Sequence, residues 1–254
     1  MAVVNSVASV PVRDAVVLAA GNGDRFQNGT RQSKLLQPVL GRPLILRTLA
    51  TAAEAGITSF EIVVGYQAEA VRDVIERHPP HGASIHFTFN PEWHLENGVS
   101  VLAVRRRFSD RRFALLMGDH LFEAPVLSRL LRMAVLADES ILAIDARPAP
   151  ADIAAEATQV RMSGDHITAI GKELGAFDAL DTGLFVCSPA LFGALETARH
   201  GGDTTLSGGI RQLAARGLMR GAEVGAATWY DIDTLADLAA AESLLAAQPE
   251  PEHA

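Results

Sequence analysis

Apolar residues follow two rhythms along the chain. Short continuous runs such as DAVVLAA (14–20), SFEIVVGY (59–66) and RFALLMGDH (112–120) end in glycine or polar residues, the pattern of strands buried on both faces. Between them, RPLILRTLATAAEAGI (42–57), QAEAVRDVIERH (67–78) and APVLSRLLRMAVLA (124–137) carry apolar residues at helical spacing, the first with a glycine near its end. SIHFTFN (84–90) and NGVSVLAVRRRF (97–108) continue the alternation. Such a sequence predicts an α/β fold with a single doubly wound, mostly parallel sheet. The second half changes character. SILAIDAR, TQVRMSGDHITAIGKEL and ALDTGLFVCSP read as strands joined by turns, so mixed or antiparallel pairing is expected at one edge of the sheet. TLADLAAAESLLAAQPEPEHA reads as a helix running into a disordered tail rich in proline and glutamate. No internal repeat or long linker divides the chain, so one domain is expected over 13–246, with a flexible N-terminus at 1–12 and a tail at 247–254.

Composition narrows the classes of partner. At 254 residues and 48% hydrophobic, the chain can bury a substantial core. Its formal net charge of −8 supplies no general basic field for a nucleic-acid backbone, so a phosphate partner must be held locally and should be small. Cys187 is the single cysteine, which leaves no disulfide within the chain, fits a reducing cytoplasm and is expected to be packing. No apolar run approaches the roughly 18 residues of a membrane span, and MAVVNSVASVPVRD lacks the form of a signal peptide. A soluble, cytoplasmic protein without membrane insertion is expected.

One stretch, VVLAAGNGDRFQNGTRQSK (16–34), carries specific chemistry. Gly21 and Gly23 follow a buried strand, where missing side chains let backbone N–H groups approach an anion, and Arg25 and Lys34 add charge. This reads as a phosphate loop. It is not a Walker loop, because the spacing G-x-x-x-x-G-K-[ST] is missing, and Phe26 stands where the dinucleotide fingerprint has its third glycine.

LAAGNGDRF followed by SKLLQPVLGRPLILRTL resembles the signature of nucleotidyltransferases that join a nucleoside triphosphate to a phosphorylated sugar, polyol or alcohol and release pyrophosphate. NPEWHLENGVSVLAV, FALLMGDHLF, ITAIGKELGAFDALDTGLFVCSP and WYDIDTLADL resemble the cytidylyltransferases acting on inositol 1-phosphate, and the likeness runs from Asp14 to about Leu245. It implies a Rossmann-like nucleotidyltransferase fold. It also implies a nucleotide site formed by Leu18, Ala19, Ala20, Gly21, Gly23, Arg25, Lys34, Glu96, Asn97 and Ser100. In this family the enzyme portion is often fused to a membrane-embedded transferase that consumes the CDP-polyol. No such portion is expected here, and the product is expected to diffuse to a separate membrane CDP-alcohol transferase.

Attack of a phosphomonoester oxygen on an α-phosphorus gathers several negative charges, so cations and positioning should dominate catalysis. Magnesium takes hard oxygen ligands. Asp119 ends the strand FALLMGD at the carboxyl edge where open α/β sheets bind ligands, and is the first expected metal ligand; its alternative is a cap for the next helix. In WYDIDT, Asp231 and Asp233 alternate and face one side, so either could reach the metal; Asp233 is favoured, with Asp231 in support, although DTLADL also reads as a helix start. By the resemblance, Arg25 and Lys34 bind the triphosphate, Lys172 meets the acceptor phosphate, and Asn97 and Asp181 lie on the acceptor side. His120 is given no catalytic role, because a phosphomonoester oxygen is already anionic. His78, His81 and His200 have no metal-ligand spacing. The expected activity is magnesium-dependent transfer of CMP from CTP to inositol 1-phosphate. The alternatives are phosphocholine or a sugar 1-phosphate as acceptor, with Trp93, Trp229 and Tyr230 as a possible aromatic cage, or an inactive nucleotide-binding regulatory module.

Overall fold

A computed structural model describes residues 11–23, 26, 32–133 and 135–247. Arg25, the first ten residues of the expected flexible N-terminus and the tail beyond Ala247 lie outside the described residues. The first half runs β1 (Asp14–Ala19), β2 (Pro38–Val39), β3 (Arg42–Pro43), α1 (Leu44–Glu54), β4 (Ser59–Val64), α2 (Ala68–Arg77), β5 (Ser84–Phe89), α3 (Asn97–Ala103), α4 (Arg105–Phe108), β6 (Phe113–Met117) and β7 (His120–Phe122). The second half runs α5 (Ala124–Leu131), β8 (Ser140–Asp145), α6 (Ala151–Glu156), β9 (Gln159–Ser163), β10 (His166–Gly171), β11 (Ala179–Cys187), α7 (Ala190–His200), α8 (Leu206–Ala215), β12 (Met219–Glu223), β13 (Trp229–Asp231) and α9 (Leu235–Ala247).

Nine strands form the main sheet in the order β5-β4-β1-β6-β11-β8-β12-β10-β9. The continuous apolar runs sit where two-sided burial was expected. On β1, Val17 packs into a core with Leu49 of α1, Ile75 of α2 and Leu127 of α5. Its neighbour Val16 points into the opposite core, with Val101 of α3, Leu195 of α7 and Ile210 of α8. Helices therefore cover both faces, as in other doubly wound folds.

The first half follows the parallel rule, with β1 paired parallel to both β4 and β6. The antiparallel pairing reaches deeper than the edge. Strand β11 lies between β6 and β8 and runs antiparallel to both. The connections from β9 to β10 and from β10 to β11 are too short for a helical crossover, and β9 pairs antiparallel with both β10 and β11, whereas β12, reached through α7 and α8, runs parallel to β8. The first reversal turns at Gly164, whose φ of +59° suits a left-handed residue.

Helix α1 shows how local signals set an end. Gly56 adopts φ +113° just after the helix, its N–H donates to the carbonyl of Ala53, and the N–H of Ile57 donates to that of Ala52. This is the Schellman arrangement that the glycine in AEAGI anticipates. A third, smaller core joins Phe26, Val39 and Leu44 with Leu121, Ile232 and Ala241. It fastens the glycine loop, β7 and α9 beneath one end of the sheet.

Phe185 lies on the reversed strand and is fully buried. Phe185→Ala should lower the unfolding free energy by about 3–5 kcal/mol, read from a lower urea midpoint at unchanged slope.

Candidate active site

The carboxyl ends of β1 and β6 lie side by side, joined by the Gly118 N–H to the carbonyl of Leu18 at 2.9 Å. Leu18, Ala19 and Ala20 thus lead into the glycine loop next to Asp119. A Cβ on Gly118 would stand 2.8 Å from the carbonyl of Leu18, so the approach requires glycine there. Gly23 has φ +66° and lies against the side chain of Lys34, while Gly21 faces open space.

Lys34 opens a single 3-10 turn, Lys34–Leu36, and is 8% exposed. Its Nζ lies 2.7 Å from Asp119 Oδ2 and 2.9 Å from Asp233 Oδ1. Burial alone would lower the lysine pKa, but the two carboxylates outweigh it and hold the ammonium above its ordinary value. Burial likewise works to raise Asp119, and Lys34 together with the N–H of His120 pulls its pKa well below the usual carboxylate range. The charged forms therefore stabilise one another.

His120 is the residue that sequence reasoning passed over. Its ring is 12% exposed, and Nδ1 lies 3.0 Å from Asp119 Oδ1 and 3.6 Å from Asp231 Oδ1. Burial would favour the neutral ring, yet Asp231 and the hydrogen bond to Asp119 push the pKa up to about 9, so the imidazolium persists at neutral pH. Asp119, His120 and Asp231 each offer a ligand atom, all within 4.8 Å of one another. Its signal in the sequence is only its place beside Asp119; the partner Asp231 arrives through antiparallel pairing of β7 with β13.

Three further contacts hold these groups. The buried hydroxyl of Thr48 on α1 lies 2.9 Å from the carbonyl of His120 and 3.2 Å from that of Gly118, fixing the turn that carries Asp119. The indole N–H of Trp229 donates to Asp145 Oδ2 at 2.9 Å, tying β13 to the end of β8. That bond commits the polar edge of Trp229 to holding the strand. Gly183 on β11 has φ +75°, and a Cβ there would stand 2.6 Å from the His120 ring.

The alternative capping roles fall away. Asp119 is followed by β7 rather than a helix. The start of α9 is capped by Thr234 and Asp237, where the N–H of each donates to the side chain of the other, at 2.7 Å to Asp237 Oδ2 and 3.2 Å to Thr234 Oγ1. Asp233 is left facing Lys34.

The remaining predicted residues are spread around this centre. Asn97 begins α3 as expected, and its Oδ1 accepts from the N–H of Leu206, joining α3 to the start of α8. Gly98 beside it packs where a Cβ would meet the carbonyl of Thr204 at 2.6 Å. Ser100 is buried and its Oγ accepts from Asn90 Nδ2 at 3.0 Å, so its hydroxyl serves the loop. Glu96 is exposed. Lys172 is exposed just after β10, and among the described residues no ion pair joins it to the Lys34 cluster. Asp181, on β11 two residues from Gly183, has its pKa raised to about 6 by burial, opposed by the Gly183 N–H that donates to its Oδ1 at 2.8 Å.

Residues 15–217 match the family described as MobA-like NTP transferase domain. A bifunctional IPC transferase and DIPP synthase of Rubrobacter xylanophilus is 35% identical over 235 residues, covering 91% of this chain and 51% of that protein. A CMP-5'-(3-aminopropyl)phosphonate synthase of Streptomyces rubellomurinus is 42% identical over 123 residues, 48% of this chain and 19% of that protein. The inositol-1-phosphate CTP transferase structure from T. maritima superposes with a TM-score of 0.81 at 24% identity, covering 94% of this chain and 96% of that one. The chain spans about half the length of the bifunctional relatives it matches. Among the described residues no helix is long and apolar enough to cross a membrane.

The Asp181 carboxylate supplies a pH test. Its folded pKa lies above the ordinary value of 3.8, so its favourable contribution is present below about pH 4 and lost as pH rises through about 6. Asp181→Asn keeps an acceptor for Gly183 without that loss. The variant should gain thermal stability over the parent as pH rises from 4 to 6, with a constant difference above; a difference independent of pH would place the ionised form in water.

Proposed function

The chain belongs to the MobA-like NTP transferase family, and from that premise we propose that it is a cytidylyltransferase transferring CMP from CTP to inositol 1-phosphate, giving CDP-inositol and pyrophosphate. The observation that carries this reading is the placement of a buried lysine and two carboxylates, Lys34, Asp119 and Asp233, at the carboxyl edge of the sheet beside a glycine loop. The T. maritima protein, an inositol-1-phosphate CTP transferase, supports the acceptor and the nucleotide, and the Rubrobacter relative is likewise named an IPC transferase.

In the reaction, a phosphate oxygen of inositol 1-phosphate forms a bond to the α-phosphorus of CTP. The bond from that phosphorus to the bridging oxygen breaks, and pyrophosphate leaves with the electron pair. No general base is needed, which suits a centre whose histidine is already protonated. Lys34 and Arg25 bind the triphosphate and stabilise charge that grows on the leaving group. Asn97, Lys172 and Asp181 hold the acceptor, Lys172 at its phosphate and Asp181 at ring hydroxyls.

The donor set is one of hard carboxylate oxygens, already close enough to share one cation in Lys34, and it fits magnesium. Asp119 and Asp233 would hold the ion, with Asp231 in support, and the ion would neutralise phosphate charge. A second acceptor class, an aminoalkyl phosphonate, is favoured by the likeness to the Streptomyces enzyme across 48% of this chain.

Pyrophosphate release with CTP and magnesium tests the acceptor. kcat/KM for inositol 1-phosphate should exceed that for phosphocholine, glucose 1-phosphate and 3-aminopropylphosphonate by at least about two orders of magnitude, because unmet hydroxyl partners penalise the wrong acceptor. Equal turnover of any of them would change the acceptor and keep the transferase. Asp119→Asn should retain the fold and lose turnover by roughly two orders of magnitude or more even at high magnesium; near-parental rates would remove Asp119 from the site.

A further inference from the structure

We infer that Lys34 has a second task as the positioning residue of the carboxylate pair: its ammonium holds Asp119 and Asp233 together and competes with the divalent cation for the same oxygens, so the metal binds well only once a triphosphate takes the lysine. This deepens the proposed function and rests on its reading of Asp119 and Asp233 as metal ligands.

The geometry leaves little room for both cations. Nζ contacts Oδ2 of Asp119 and Oδ1 of Asp233 directly, and the lysine is almost wholly buried, so the contact is an enclosed one and weakly screened. The Lys34 side chain is confined on the loop side by Gly23, where a Cβ would meet Lys34 Cβ at 3.1 Å. The preceding residue is fixed as well, since the N–H of Ser33 donates to Gln67 Oε1 at 2.8 Å. The ammonium is thus aimed at the pair by its backbone.

Charge follows from this. Lys34, Asp119 and Asp233 sum to one negative charge, while a divalent cation is matched by two. A divalent ion arriving on these oxygens meets the positive charge of Lys34, itself only 8% exposed, within a few ångströms, and partial burial makes that repulsion larger than in bulk water. Phosphates remove the conflict by offering the ammonium other oxygens. Metal and nucleotide then strengthen each other's binding, and by linkage the effect is reciprocal.

The test measures Mn2+ binding by calorimetry with and without a non-hydrolysable CTP analogue, on the parent and on Lys34→Met, whose side chain fills similar space without charge. Without nucleotide, Lys34→Met should bind Mn2+ at least about tenfold more tightly than the parent. Its melting temperature should fall in chelator and recover with Mn2+. The gain in Mn2+ affinity on adding the analogue should be smaller in the variant than in the parent. Equal or weaker nucleotide-free Mn2+ binding by Lys34→Met overturns the inference. Should that variant not fold, Lys34→Gln, which can still donate to one carboxylate, carries the same comparison with the same outcomes. If the parent binds the CTP analogue at no Mn2+ concentration, the nucleotidyl reading fails, and the nucleotide half of the inference with it.

Discussion

A buried ammonium between two carboxylates is the constraint around which the carboxyl edge of the sheet is arranged. Leaving any one of the three charges alone at this depth would cost several kcal/mol, so Lys34, Asp119 and Asp233 have to be delivered together. They come from three separate places: the loop after β1, the end of β6, and the segment after β13. Much of the surrounding structure serves that delivery. Thr48 holds the turn after β6 from α1, and the Thr234–Asp237 cap begins α9 just beyond Asp233, whose Oδ1 meets the lysine.

Glycines set how close these pieces come. At Gly118 and Gly65 an added Cβ would stand 2.8 Å from the carbonyls of Leu18 and Ala20, so both neighbours of the β1 end depend on an absent side chain. The N–H of Tyr66 closes the second contact by donating to Ala20 at 2.9 Å. Gly183 does the same for the histidine, making space for its ring on the reversed strand. The loop itself needs less: Gly21 faces open space, which suits a backbone meant to receive an anion.

The parallel half of the sheet follows a nucleotide-binding plan shared by many folds, whereas the antiparallel half brings Asp181 and Gly183 to the same centre on β11. The chain matches about half the length of each bifunctional relative, and its residues 15–217 match the NTP transferase domain.

The sequence by itself determined the elements and most of their order. Two-sided burial of β1 is written in AVVLA, the end of α1 in its glycine, and the carboxyl-edge place of Asp119 in an apolar run that stops at Gly118. These signals are local, because side-chain pattern records how each residue is buried within its own element. The tertiary structure decided the pairings. Lys34 and Asp233 meet across 199 positions, His120 meets Asp231 only because β7 and β13 pair antiparallel outside the main sheet, and β11 enters between β6 and β8 rather than at an edge. Hydrophobic periodicity is the same for a strand at an edge or in the middle, and for a carboxylate that faces water or a lysine. Which strand ends become neighbours depends on the crossover connections, and there charge and backbone reach, rather than residue pattern, select the arrangement.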